Sequence, residues 1–71
     1  MKKKFKELKI GDRFILPDPR ATYYGEPEIL EKIPFMENYY RTTGYKRNAR
    51  WIHGEKYFYV DDEQEVEVVE S

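Results

Sequence analysis

No cysteine occurs in this 71-residue chain, so disulfides and thiolate metal ligands are excluded as sources of stability. Histidine occurs once, at His53, and one imidazole cannot build a structural zinc site. Serine occurs once, at Ser71, which leaves Thr22, Thr42 and Thr43 as the other hydroxyl nucleophiles, none at a spacing that suggests a triad. Apolar runs are short; none approaches the roughly 20 residues that a bilayer-spanning helix needs. The MKKK start continues as KFKELKIGD without an apolar segment, so no signal peptide is expected and a cytoplasmic protein is.

Small size sets the next limit. A chain of this length is expected to form one domain over residues 1–71 and to bury only about 60% of its unfolded surface. With disulfides and zinc gone, an aromatic core, self-association or both must supply the stability. Seven tyrosines, four phenylalanines and one tryptophan provide that core material. A homo-oligomer is therefore expected.

The net charge of −1 hides an asymmetry. Residues 1–20 carry seven Lys/Arg against three acids, and residues 41–56 carry five against one. Residues 57–71 carry six acids and no base. A chain near neutrality does not draw polyanions from a distance, so general coating of DNA is disfavoured while a local basic patch is not. The acidic end is an alternative partner for that patch in a self-complementary surface.

Helix signals are weak, limited to a turn at Phe5–Leu8, and prolines at 17, 19, 27 and 34 break the first half. Strands are expected over 13–16, 29–33, 47–52, 56–60 and 65–69. Gly11-Asp12 and His53-Gly54-Glu55 supply turns, with Gly54 expected at positive φ. Val66 and Val68 point inward by alternation, as do Phe58 and Val60, while Tyr57 and Tyr59 take the opposite face. Five short strands at this length predict an all-β fold, a small five-stranded antiparallel SH3-like barrel or strongly bent sheet. The long connections 17–28 and 34–46 are expected to be loops that contact something.

The stretch Tyr39–His53, YYRTTGYKRNARWIH, places Arg41, Lys46, Arg47 and Arg50 among Tyr39, Tyr40, Tyr45 and Trp51 with no acid inside. Guanidinium groups fork onto phosphate oxygens and rings stack on bases, so a ligand bearing both suits this pattern. Tyr23 and Tyr24 in the earlier loop are expected to add stacking area, and Thr43 beside Gly44 to donate to a phosphate. Trp51, in a strand of so small a domain, is expected as core before stacking platform. The run Asp61, Asp62, Glu63 and Glu65 lacks a calcium-loop pattern and reads as a solvated or interface-facing charge run, so no metal and no cofactor are expected.

Phe5, Leu8, Gly11 and Phe14 form an F-x-x-L-x-x-G-x-x-F start, followed by Lys32, the Asn48-Ala49 step, and Asp61 with Val66 as a D-x-x-x-x-V end. In these the chain resembles very short proteins encoded by phages and prophages, which implies a viral or mobile-element origin more than an activity. The expected function is a non-catalytic binding protein that captures a phosphate-bearing ligand, either a nucleotide immune signal or a nucleic-acid segment, in counter-defence. The alternatives are an inhibitor of a host defence enzyme acting through the acidic end, or a small structural homo-oligomer. An enzyme is not expected.

Overall fold

The computed structural model describes residues 1–17, 22–23 and 26–69, with 22–23 and 26–27 described by backbone alone. Nine regular elements follow in chain order: β1 (Lys2–Lys4), β2 (Arg13–Ile15), β3 (Thr22–Tyr23), β4 (Glu26–Pro27), β5 (Leu30–Lys32), α1 (Glu37–Thr43), β6 (Ala49–Trp51), β7 (Tyr57–Phe58) and β8 (Glu65–Val69), with a 3-10 turn at Phe5–Glu7. Six strands pair antiparallel in the order β1-β8-β2-β5-β6-β7, and β3 with β4 forms a separate two-stranded ladder.

The five strands expected from the sequence are β2, β5, β6, β7 and β8. The sixth, β1, lies where three consecutive lysines argue against a strand. It forms on the outer edge of β8, where Lys2 faces Glu67 and Lys4 faces Glu65. Charge complementarity across that ladder compensates for the lack of apolar side chains. Among the described residues no ladder joins β1 to β7, so the sheet is open at both edges where a barrel is one expectation. Both edges are short, and lysine on an edge strand discourages further pairing.

The core consists of Phe5, Leu8, Phe14, Leu30, Ala49, Val60 and Val66, with Leu16, Trp51, Phe58 and Val68 packed against it. Phe5 and Phe14 meet edge to face with ring centres 5.4 Å apart. The 3-10 turn lays Phe5 onto the sheet, and Lys32 from β5 holds the turn in place. Its Nζ donates to the carbonyls of Phe5 (3.0 Å) and Leu8 (2.8 Å) and sits 4.6 Å from the centre of the Phe5 ring. Buried Asn48 acts as a side-chain rung: Nδ2 donates to the Val60 carbonyl and Oδ1 accepts from the Val60 N–H, both at 2.8 Å.

Two turns depart from expectation. Positive φ occurs at Gly11 (96°) and Gly44 (80°) among the described glycines, and not at Gly54. Gly54 is needed for space instead, since a Cβ there would lie 3.1 Å from Cε3 and Cζ3 of Trp51. The connection 34–46 is not all loop, because residues 37–43 form α1. Its Glu37–Arg41 pair spans one turn at 2.9 Å, and Gly44 ends it in the left-handed conformation with its N–H on the Tyr40 carbonyl. No residue of α1 is buried. Among the described residues no helix is long and apolar enough to cross a membrane.

Candidate functional site

Residues 45–48 run between α1 and β7 and are pinned by backbone bonds. The Met36 N–H donates to the Arg47 carbonyl (3.1 Å), and the Asn48 N–H to that of Phe58 (2.9 Å). Fixing this strip sets where its two cations go. Arg47 lies between two rings, with Cζ 3.8 Å from the centre of Tyr39 on α1 and 4.6 Å from that of Tyr57 on β7. Lys46 stands beside the next pair, its Nζ 5.2 Å from Tyr59 and 5.9 Å from Tyr40. Phe35 extends the aromatic surface at 5.8 Å from Tyr40.

Each cation–ring contact at an exposed position contributes about 0.5–1 kcal/mol. Together they tie α1 to the sheet, a role that buried apolar residues play in most helices. A ring satisfies the flat face of a guanidinium and leaves its N–H edge available to an anion. Among the described residues neither Lys46 nor Arg47 has a carboxylate within 4.0 Å.

The other two cations of the stretch differ. Arg41 Nη2 is 2.9 Å from Glu37, and Arg50 Nε is 3.6 Å from Glu31, its partner across the β5–β6 ladder. Both guanidinium groups are already answered within the chain. Thr43 is also engaged, since its Oγ1 donates to the Tyr39 carbonyl (2.8 Å) and accepts from the Tyr45 N–H (3.2 Å). Tyr45 is the most exposed of the tyrosines whose side chains are described, at 69%. Tyr39 and Tyr40 sit on α1, where a loop is expected. Tyr23 is described only as backbone in β3, and Tyr24 lies outside the described residues.

Tyr57 and Tyr59, assigned from the alternation pattern to a face shared with each other, complete the two cation stacks. Lys46 and Tyr59 also border a hollow of about 370 Å³ that Phe5, Ile10, Lys32, Ile33, Phe35, Asn48 and Asp62 complete. The sequence carries no sign of this hollow, because its walls come from five separate stretches.

Apart from Asp62, the acidic end faces elsewhere. Glu63 takes Lys6 at 2.7 Å and Lys4 at 2.9 Å, Glu65 takes Lys2 at 3.9 Å, and Glu67 takes the terminal amine at 2.8 Å. Hydrogen bonds from Lys6 and Lys4 hold the Glu63 carboxyl below its usual range, and Glu63 raises Lys4 in return. The bond from the terminal amine lowers Glu67 likewise. The acids of β8 are thus matched by Met1 and Lys2 of the same chain, and among the described residues the mid-chain cations are not their partners.

Compared with known proteins, the chain matches no family model, no curated protein and no solved structure.

Proposed function

We propose that the protein binds a phosphate-bearing ligand without transforming it, through Lys46 and Arg47. One observation carries this: the Arg47 guanidinium is clasped by the faces of Tyr39 and Tyr57, with no carboxylate beside it among the described residues. A guanidinium fixed in this way loses little freedom when it meets phosphate, and forked hydrogen bonds to phosphate are its strongest option. Tyr40, Tyr45 and Tyr59 offer ring surface to bases alongside. The resemblance to short phage-encoded proteins supports capture of a nucleotide immune signal or a nucleic-acid segment inside a host cell, in counter-defence. Self-association belongs to the same proposal, since a strip this shallow gains depth from a second copy. The strand order supports the SH3-like architecture as well, because β2, β5, β6 and β7 form a meander to which β8 returns.

The acidic-end inhibitor draws less support, because Glu63, Glu65 and Glu67 are engaged by their own chain's amines. Titration calorimetry with linear and cyclic nucleotides tests the proposal. Saturable heat, reduced at least about tenfold in affinity by Arg47→Ala, is the expected result. Silence across the panel, or unchanged binding by the variant, contradicts it.

A further inference from the structure

We infer that the hollow beside Lys46 seats the base of a mononucleotide unit, with guanine the best-matched base. This rests on the phosphate-binding reading above and assigns the rest of the ligand. The hollow measures about 370 Å³, near the lower end of the roughly 300–1,000 Å³ typical of small-molecule sites. Three large side chains on its walls stand exposed, Ile10 at 58%, Phe35 at 44% and Tyr59 at 48%. Exposed apolar groups converging on one concavity gain by receiving a flat, weakly hydrated body.

The polar groups of the hollow narrow the choice. Lys32 has three N–H donors, of which two go to the Phe5 and Leu8 carbonyls. Lys46 stands at the hollow and continues through the chain into Arg47, which fits a phosphate on that side. Asp62 brings a carboxylate to the same hollow. None of Lys32, Lys46 and Asp62 has an ion-pair partner among the described residues. An anion with an apolar body alone would bring no donor to Asp62, whereas a nucleotide brings phosphate to the cations and neutral base N–H donors to the carboxylate. A carboxylate only accepts hydrogen bonds. Guanine offers it two adjacent donors, N1–H and the 2-amino group. Adenine offers an amino group beside an acceptor, and uracil one N–H between two carbonyls.

The test is calorimetry with guanosine monophosphate, adenosine monophosphate, uridine monophosphate, ribose 5-phosphate and guanosine, run on the native chain and on Asp62→Asn, Ile10→Ala and Phe35→Ala. All three positions are exposed, so the variants are expected to fold, and circular dichroism verifies it. Guanosine monophosphate should bind about fivefold or more tighter than ribose 5-phosphate, as one stacked base warrants. Ile10→Ala and Phe35→Ala should erase that margin, and Asp62→Asn should erase the preference for guanine. Equal affinity for ribose 5-phosphate and the nucleotides overturns the base seat while phosphate binding stands. Binding of guanosine as tight as its monophosphate removes the phosphate reading and keeps the base seat. No binding of any probe overturns both. A guanine-ended trinucleotide distinguishes a free nucleotide from a terminal residue of a nucleic acid, either of which carries the inferred chemistry.

Discussion

Arg47 and Arg50 are three residues apart and chemically identical, yet among the described residues only Arg50 of the two has a carboxylate beside it. The difference comes from register: β5 pairs with β6 so that Glu31 faces Arg50, while Arg47 precedes the strand and meets rings. No local pattern in the sequence encodes that, which is why four cations look equivalent there and two stand apart in the fold. Arg47→Lys should recover only part of the affinity lost in Arg47→Ala, because an ammonium offers neither a planar stack nor a forked donor pair; titration of the two variants measures it. At Lys32, substitution by Met keeps the aliphatic packing but removes the Nζ donor from the Leu8 carbonyl, while the Phe5 carbonyl keeps the Leu8 N–H. One part-buried acceptor so orphaned costs about 1 kcal/mol or more, and urea denaturation should register that loss. Asn48→Ala orphans both polar groups of the Val60 backbone and should be at least as damaging in the same assay.

Strands β2, β5, β6, β7 and β8 are legible because their apolar residues alternate or run between proline and glycine stops. Helix α1 is not, because it buries no residue and so has no apolar stripe to reveal it. Its signals are the Glu37–Arg41 spacing and the stop at Gly44, both weak at a length of seven residues. Gly44→Ala meets no atom within 4 Å, so its cost is backbone strain alone, about 1–2 kcal/mol at φ 80°. Helical circular dichroism and the denaturation midpoint should both fall, with Gly44→Asn milder. Because Arg47 and Lys46 tether α1 through rings, Gly44→Ala should also weaken nucleotide binding. Unchanged affinity would mean that α1 does not shape the site.

At the scale of the molecule, the charge asymmetry is legible in the sequence but its pairing is not. Glu63 and Glu65 meet the amino-terminal lysines, 57 residues away in the Lys6–Glu63 bond, and among the described residues they do not pair with the mid-chain basic stretch. Glu63 and Glu67 are held below the ordinary carboxyl value of 4.5, so their contribution is complete above that pH and is lost as pH falls through the lowered values. Lys4 is held above 10.5, so its share is present below that pH and is lost as pH rises through the raised value. Urea midpoints should therefore decline in acid below about pH 4.5, less steeply in Glu63→Gln, and the contribution should shrink at high salt because all these groups are exposed.

The most direct measurement is side-chain NMR of Arg47 during a nucleotide titration. The Arg47 Nε–Hε signal and the ring signals of Tyr39 and Tyr57 should shift together and saturate, while those of Arg41 and Arg50 move little. Shifts confined to residues 2–6, or no shift of Arg47 at saturating ligand, would contradict the account.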